Sequence, residues 1–335
     1  MSIKILSPGL LTTIQDTGRI GHRKEGIILS GAMDSLALRL ANLLVGNPEQ
    51  AAALEITLTG PKILFQENCL LALTGANLNP KINGCPVKMW RPVMVRAGSI
   101  LAFGKPVLGS RTYLAVAGSF HIPKILGSYA TYLKAGIGGF NGRALQTGDS
   151  IPGNWPAPAV APIWRSLEKK PAPNGFAEVN WRLGSSFYPT LVPNPVIRAL
   201  KGPEYEWFAP DSQKAFWELP FSLTNQSDRM GYRLKGPALN LLKEKELLSS
   251  AVTFGTVQVP AQGQPIVLMA DHQTTGGYPR LAQVITADFS LLAQVQPGAK
   301  IQYKEINLPE AQGLLLAQEK RMNHLKNILS LKFKT

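Results

Sequence analysis

The sequence contains few of the residues that build metal centres and disulfide frameworks. Among its 335 residues are only two cysteines, Cys69 and Cys85, and four histidines. The histidines are isolated along the chain, and no HxH, HExxH or CxxC spacing occurs. We therefore expect no bound structural metal. Because thiols are so few, and because a reducing compartment keeps them reduced, we also expect free cysteines rather than a disulfide.

Long apolar runs are also missing. A membrane-spanning helix needs about 18 or more consecutive apolar residues, and the best candidate, residues 27–46, is interrupted by Asp34 and Arg39. The first residues lack the basic region, apolar stretch and small-residue cleavage site of a secretory signal. The sequence therefore predicts a cytoplasmic protein without a membrane span.

Acidic residues are scarce relative to basic ones. The chain has 35 Lys and Arg against 21 Asp and Glu, a formal net charge of +14. Such an excess can mark a surface for nucleic acid or for an acidic partner. However, five of the positive charges lie in the acid-free residues 320–335, and the others are scattered rather than interleaved with aromatics. The pattern favours a solvated basic face over nucleic-acid binding.

Glycine and proline, in contrast, are abundant. The 31 glycines and 26 prolines break the chain into short β-prone runs, as in residues 61–118, where pairs such as NG, RP and AG separate successive apolar runs. Such punctuation is typical of strands joined by tight turns. The sequence therefore predicts a mainly β chain of the barrel or sandwich type.

Two helices interrupt this β pattern. Leu36, Leu40, Leu43 and Leu44 recur with helical spacing. Asp34 or Ser35 can cap that helix, and Gly46 with Pro48 ends it. A second amphipathic stretch begins at Pro309 and has a basic last turn, which suits the helix dipole.

Proline density indicates a domain boundary. Prolines recur too often in residues 152–175 for the interior of a sheet. Residues 14–27 and 225–238 also resemble each other, each with an Asp followed by Arg, Gly, Arg and Gly, which suggests two related β domains. We predict an N-terminal β-barrel domain with an early helix in residues 1–165, a Pro-rich linker region in 166–195, a C-terminal β-barrel domain in 196–306 and a helical basic tail in 307–335.

Two glycine-rich stretches come near to nucleotide-binding signatures and fail. In residues 98–106 the glycine spacing is too long for a P-loop, and Pro106 replaces the Ser or Thr that binds magnesium. In residues 136–142, Asn141 stands where the third glycine of GxGxxG belongs. The glycines there still permit close approach of a ligand, and Arg143 could hold an anion in bidentate fashion. A flexible hairpin with an exposed arginine explains the pattern equally well.

The densest polar chemistry lies in residues 271–278, which we call the polar segment. An apolar run ends at Asp271 and is followed by His272, Gln273, Thr274 and Thr275, then by two glycines. Loops at strand ends often present functional side chains on a rigid scaffold. Asp271 could accept a proton, and Gln273 and the threonines could bind an amide or a carboxylate. From spacing alone, an Asx-type turn in which these side chains satisfy only the backbone is favoured.

A resemblance to a known family shifts that balance. The motifs that carry it include TTIQDTGRIGHRKEGI, LEITLTGP, RTYLAVAGSF, GIGGFNGRALQTGD, QSDRMGYRL and GTVQVPAQGQPIVLMADHQTTGGYP, and they run in order from about residue 10 to about residue 303. Together they resemble the biotin-dependent carboxyltransferase-like family of allophanate hydrolase subunit 2 and KipA, whose prokaryotic members include the C component of 5-oxoprolinase. The resemblance implies two cyclophilin-like β-barrel domains with a few short helices.

It also implies a function. The leading hypothesis is the C component of a 5-oxoprolinase, which with a KipI-type B component and a LamB/YcsF-type A component uses ATP to open 5-oxo-L-proline to L-glutamate. A second is half of a carboxyltransferase acting on urea or a similar amide, with biotin on a separate carrier, since this chain has no Met-Lys carrier context. A third is a KipA-type regulator that binds a KipI-type kinase inhibitor. All three imply a KipI-type partner.

The family motifs also nominate site residues. We hypothesise that Arg143 orients an anionic group, that Gln273 and Thr274 hold the amide, and that Asp271 positions a proton or an active-site side chain. Tyr129 stands where arginine is commoner in the family, which predicts a difference in substrate. The nominated catalytic residues are Asp271, Gln273 and Arg143, and the substrate-binding residues are Thr274, Thr275, Tyr278, Gln15, Asp16, Arg19, Asp228 and Arg229.

Overall fold

A computed structural model of the chain describes residues 2–154, 160–243, 245 and 247–333. These residues form two compact units. Unit 1 comprises Met1–Arg19, Asp34–Thr190 and Lys320–Thr335, and unit 2 comprises Ile20–Met33 and Leu191–Glu319. The predicted mainly β fold with a few short helices is confirmed.

Unit 1 contains two six-stranded sheets whose strands pair antiparallel. Inward-facing residues of both sheets, among them Ile5, Phe65, Leu71 and Leu114, share one hydrophobic cluster. This two-layer packing buries alternate side chains of each strand. One sheet contains β1 (Ser2–Ser7), β4 (Lys62–Phe65), β6 (Lys81–Ile82), β7 (Cys85–Pro86), β9 (Ile100–Ala102) and β11 (Ser150–Pro152); the other contains β2 (Leu11–Gln15), β3 (Ala53–Thr57), β5 (Cys69–Asn77), β8 (Pro92–Val95), β10 (Leu108–Val116) and β12 (Phe176–Glu178).

Unit 2 contains a closed seven-stranded barrel. Its interior is filled by apolar side chains such as Val257, Val267 and Leu281, and Phe216 stacks on Tyr303 with ring centroids 4.5 Å apart. Unit 2 also contains a two-stranded antiparallel ribbon formed by β16 (Ser250–Ala251) and β19 (Thr275–Gly276). The barrel strands are β13 (Val196–Lys201), β14 (Phe221–Leu223), β15 (Gly231–Lys235), β17 (Thr256–Gln258), β18 (Ile266–Leu268), β20 (Arg280–Val284) and β21 (Lys300–Glu305).

Five α-helices lie in the described part of the chain. Their bounds are α1 Ser35–Leu44, α2 Ala161–Glu168, α3 Pro210–Glu218, α4 Phe289–Ala293 and α5 Leu308–Lys332. Asp34 caps α1, since its Oδ1 accepts the Ala37 N–H at 3.0 Å. Leu36, Leu40 and Leu44 are buried as their spacing predicts, whereas Leu43 is half-buried. No helix in the described ranges has both the length and the apolar character needed to cross a membrane.

The two units do not follow the predicted domain boundaries. Residues 20–33 belong to unit 2, although we expected them in the first domain. The expected linker region 166–195 holds the end of α2 and strand β12, which pairs with β8, so its first part belongs to unit 1. The tail also divides, because residues from Lys320 onward belong to unit 1. Residues 155–159 of the Pro-rich stretch and residues 334–335 of the tail lie outside the described residues.

Candidate functional site

The polar segment belongs to a crossover connection of the barrel. Strands β18 and β20 both pair antiparallel with β17 from opposite sides, so they run parallel and need a connection that crosses over. The polar segment is most of that connection. The connection leaves β18 at Met269, whose N–H donates to Met230 O at 3.0 Å, and later pairs with β16 as β19. Its side chains are therefore fixed at both ends by regular structure.

A buried ion pair holds the start of this segment. Arg229 Nε donates to Asp271 Oδ2 at 2.8 Å, and Arg229 Nη2 donates to Asp271 Oδ1 at 3.0 Å. Ser30 Oγ also donates to Asp271 Oδ1 at 2.7 Å, and Arg229 Nη2 donates to Gly31 O at 2.6 Å. Both charged side chains are 5% exposed. A buried charge must be paired and hydrogen-bonded. The partners in this cluster come from three separate segments of unit 2, so the cluster joins those segments.

The carboxylate of Asp271 is not open to a ligand. Both of its carboxylate oxygens are occupied by donors, and the group is buried. Arg229, nominated as a substrate-binding residue, is likewise engaged within the protein. Their geometry fixes the backbone from which the next residues project.

His272 is buried beside this pair. Its Nδ1 lies 2.5 Å from the Gln273 carbonyl oxygen. Burial is the main cause that lowers the pKa of His272, with the nearby Arg23 guanidinium acting in the same direction and the Gln273 hydrogen bond opposing it. A neutral imidazole that contacts a carbonyl carries its proton on Nδ1, which leaves Nε2 as a hydrogen-bond acceptor. The sequence nominated its neighbours, but not His272 itself.

The remaining polar side chains of the segment are unengaged. Among the described residues, the side chains of Gln273, Thr274, Thr275 and Tyr278 have no hydrogen-bond partner. Thr275 and Tyr278 are exposed, and Gln273 and Thr274 are half-buried. The Asx-type interpretation favoured from spacing would have required Thr274 and Thr275 to satisfy the turn backbone. Their free donors and acceptors can instead bind an amide or a carboxylate.

Gln258 is a polar residue beneath this segment that the sequence reasoning missed. Its side chain is 3% exposed, and its Oε1 has no hydrogen-bond partner in the described part of the chain. A Cβ added at Gly276 would lie 3.2 Å from Gln258 Oε1 and 3.5 Å from Gln273 Nε2. In the sequence, Gln258 is indicated only by the motif GTVQVP, in which a glutamine stands between two valines of the core. The glycine thus leaves space between two glutamine side chains.

Asp228 is an exposed turn residue. Its Oδ1 accepts the N–H groups of Met230 at 2.8 Å and Gly231 at 3.0 Å. Asp16, the aspartate in the other copy of the internal repeat, likewise accepts the Gly18 N–H at 2.8 Å. The shared feature of the repeat is therefore an Asx-type turn, which positions the arginine that follows each aspartate.

Within unit 1, the nominated residues Gln15, Asp16 and Arg19 bind one segment, residues 125–131. Asp16 accepts the Ser128 hydroxyl at 2.8 Å and the Tyr129 N–H at 2.6 Å. Arg19, fully buried, donates to the carbonyls of Ile125 at 3.1 Å and Ala130 at 2.5 Å. Gln15 Nε2 donates to Thr131 O at 3.2 Å. These residues organise the chain that leads into the glycine-rich loop.

Arg143 does not face an open anion site. Its Nη1 donates to Asp149 Oδ2 and its Nη2 donates to Asp149 Oδ1, both at 2.8 Å. This bidentate geometry is the one that arginine would use for an external carboxylate. The hydrogen bond from Arg143 lowers the pKa of Asp149. The structure therefore replaces the expected anion contact with an internal ion pair.

Replacing Arg143 with Ala should lower the free energy of unfolding rather than the rate of turnover. The pair is partly exposed, so we expect a loss of about 0.5–1 kcal/mol in unfolding free energy at pH 7. Because the pKa of Asp149 is lowered in the folded state, its contribution is present above the unfolded pKa of about 3.9 and is lost as pH falls below it. Urea unfolding at pH 7 and pH 3, with exposed Arg165→Ala as control, measures this difference. Lost turnover with unchanged stability would instead make Arg143 a substrate ligand.

A buried polar network in unit 1 was also missed by the sequence reasoning. Tyr113 OH donates to Glu55 Oε2 at 2.6 Å and accepts the Asp34 N–H at 2.8 Å. Tyr188 OH donates to Asp34 Oδ2 at 2.6 Å. Burial, followed by the charge of Glu55, raises the pKa of Tyr113 well above its usual value. The members of this network are too far apart in the sequence for residue spacing to reveal them. The sign that the sequence did offer was Glu55, an acidic residue within the apolar strand LEIT.

Comparison with known proteins places these features in a family. The family model described as carboxyltransferase domain, subdomain A and B, matches residues 25–305. The C component of the Escherichia coli 5-oxoprolinase is 44% identical over 309 residues, which cover 92% of this chain and 93% of that protein. The C component of the Haemophilus influenzae 5-oxoprolinase is 41% identical over 327 residues, which cover 98% of both chains.

Solved structures give a second set of relatives. The crystal structure of the K. lactis urea amidolyase matches with a TM-score of 0.86 and 30% identity. The match covers 97% of this chain but 20% of that one. The chain therefore spans about a fifth of the length of the urea amidolyase, whereas it spans nearly all of the bacterial relatives.

Proposed function

This chain belongs to the carboxyltransferase-domain family, and from this we propose that it is the C component of an ATP-dependent 5-oxoprolinase that opens 5-oxo-L-proline to L-glutamate. The observation that carries the proposal is the 44% identity to a 5-oxoprolinase C component, which extends over 92% of this chain and 93% of that protein. Nearly the whole relative is therefore matched. A cytoplasmic location fits this role.

The proposed chemistry uses the unengaged side chains of the polar segment. Opening a lactam places negative charge on its carbonyl oxygen, which fixed hydrogen-bond donors stabilise. Gln273 Nε2 and the Thr274 hydroxyl are such donors and have no internal partner among the described residues. Thr275 and Tyr278 lie within the same eight residues. In this proposal Asp271 and Arg229 position the segment and do not touch the substrate.

ATP is assigned to the complex rather than to this chain. A nucleotide triphosphate is usually bound where a glycine-rich loop opens a helix, because the helix N-terminus attracts phosphate. Here residues 98–106 contain strand β9, and the next regular element after residues 136–142 is strand β11. Neither of these two glycine-rich stretches therefore opens a helix. The KipI-type B component and the LamB/YcsF-type A component are the proposed partners, and the chain alone should be inactive.

Glutamate formation tests the proposal directly. The chain is purified with its KipI-type and LamB/YcsF-type neighbours, and 5-oxoproline and ATP are added. We expect ATP-dependent glutamate that disappears when any one of the three proteins is left out. An assembled complex that forms no glutamate contradicts the proposal.

The second candidate is half of a biotin-dependent carboxyltransferase. It is favoured by one observation, the TM-score of 0.86 to a urea amidolyase at 30% identity. Because this chain has no carrier motif for biotin, the carrier would be a separate protein. Transfer of labelled carboxyl from a carboxybiotin carrier to urea, in the absence of glutamate formation, would favour this candidate.

A further inference from the structure

We propose that the glycine-rich loop of residues 136–142 binds the carboxylate of a small organic acid through backbone amides that have no acceptor in the protein. The identity of the acid, 5-oxoproline, rests on the proposed function, and the loop is proposed as a second binding site for it in addition to the polar segment. The loop, together with residues 121–123, lines a cavity of about 360 Å³ in unit 1. Neither the family motifs nor the relatives assign a role to these amides.

The loop has the backbone conformation of an anion-binding concavity. Gly138, Gly139 and Asn141 have φ of 72°, 54° and 58°, which are left-handed values that glycine and asparagine tolerate. Phe140, between them, keeps a negative φ. The change of φ sign on each side of Phe140 turns neighbouring N–H groups toward one side of the chain, where they can share an anion.

Three of the loop's amides remain unpaired. Among the described residues, the N–H groups of Gly138, Phe140 and Asn141 have no hydrogen-bond acceptor. Gly138 is a buried residue, Phe140 is half-buried and Asn141 is exposed. Because the backbone N–H groups of buried residues are almost always paired in native proteins, the unpaired donor of Gly138 at a cavity wall points to a ligand. The other loop amides that donate to protein carbonyls are those of Gly136, Ile137, Gly139 and Gly142.

Close packing fixes the loop before any ligand binds. A Cβ added at Gly138 would lie 2.0 Å from Ala130 O, and one at Gly139 would lie 1.9 Å from Thr131 Oγ1. The same Cβ on Gly138 would lie 2.7 Å from Arg19 Nη2, so the buried guanidinium lies directly behind the loop. The amides are thus preorganised, and a nearby positive charge favours an anion.

The size and walls of the cavity select a compact acid. Small-molecule sites have volumes of about 300–1,000 Å³, so the 360 Å³ of this cavity lies near the lower limit. Ile122, Pro123, Ile137 and Phe140 line it alongside the glycines. A small ring with one carboxylate fits this volume better than a nucleotide does. Because Arg143 is bound to Asp149, the backbone rather than that arginine is left to hold the anion.

The test places a negative charge beside the amides. Asn141→Asp keeps the side-chain size and the left-handed φ but repels a carboxylate. Asn225→Asp, at an exposed position in unit 2, is the charge-matched control. Thermal unfolding of each full-length variant verifies that it is folded.

Binding is read at the loop itself. ¹⁵N labelling of phenylalanine gives 12 possible backbone signals, and a Phe140→Leu variant identifies that of Phe140. We expect 5-oxoproline to shift the Phe140 signal saturably in the native chain and in Asn225→Asp. The dissociation constant should rise by at least about tenfold in Asn141→Asp.

Other outcomes overturn the inference. It fails if 5-oxoproline does not move the Phe140 signal, or if Asn141→Asp binds as tightly as the native chain. It also fails if inorganic phosphate or ATP shifts the signal and 5-oxoproline does not, since the anion would then be a phosphate.

The binding test needs neither partners nor ATP, so it is independent of the glutamate assay. Binding at the loop without glutamate formation would refute the proposed function and leave the carboxylate site standing. Glutamate formation without binding at the loop would support the proposed function and refute the carboxylate site.

Discussion

Replacing Asp271 with Ala will lower the free energy of unfolding by about 3–5 kcal/mol, the usual cost of leaving a buried charge without its partner. In the native chain Asp271 balances Arg229, and both side chains are 5% exposed. The variant removes the carboxylate that balances the buried guanidinium, and the hydrogen bond to Gly31 O does not neutralise that charge. Urea unfolding at pH 7 measures the loss.

Asp228→Ala is the matched control for this experiment. It removes the same charge from the same unit, but Asp228 is exposed and accepts only two backbone N–H groups. We expect a loss of about 1 kcal/mol there. Replacing both members of the pair, with Arg229→Met and Asp271→Leu, should recover most of the stability because no charge stays buried. If Asp271→Ala is no less stable than Asp228→Ala but is inactive, Asp271 acts in the chemistry instead.

The second large effect is expected at Gln273, but in turnover rather than stability. Gln273→Ala should reduce kcat/KM for 5-oxoproline in the assembled complex by about 10²-fold, as for loss of a donor to a developing negative charge. Its side chain has no hydrogen-bond partner among the described residues, so unfolding free energy should change by less than about 0.5 kcal/mol. Steady-state glutamate formation and urea unfolding measure the two quantities.

Gln262→Ala provides the comparison for Gln273. Gln262 is an exposed glutamine of the same unit whose side chain also has no hydrogen-bond partner in the described ranges. It should retain native turnover. Activity of Gln273→Ala within about threefold of this control would remove Gln273 from the site. Loss of activity accompanied by loss of complex assembly would make it an interface residue.

Local features of the sequence predicted local structure well. The leucine spacing and the acid at its start identified α1 and its cap, because a helix is stabilised by contacts three and four residues apart. The frequent glycines and prolines identified a turn-rich β chain, because turns depend on the conformations of two to four adjacent residues. The family motifs supplied the polar segment as a candidate site, which spacing alone could not do.

Long-range pairing was not visible in the sequence. Residues 20–33 join unit 2, where Ser30 meets Asp271 across 241 positions. The Pro-rich stretch suggested a linker, but β12 within that region pairs with β8. Proline content excludes a sheet interior at the prolines themselves and does not prevent the next residues from forming an edge strand.

The fate of each polar side chain also depended on tertiary structure. Arg143 and Asp149 lie six positions apart, yet spacing cannot decide whether an arginine binds an internal carboxylate or an external one. Arg229 and Asp271 are nominated together but fill each other's hydrogen-bonding positions, while Gln273 and Thr274 stay unengaged. To predict which polar side chains are paired and which stay unengaged, every donor and acceptor nearby must be known.

The sequence by itself determined the β-rich character, the early helix and its cap, and the family, because these follow from short-range conformational preference and from motif order. Only the tertiary structure decided which segments form each unit, that the barrel closes in unit 2, and which polar groups remain free to bind a ligand. The physical reason is that burial and hydrogen-bond pairing depend on contacts between residues that are distant in the chain.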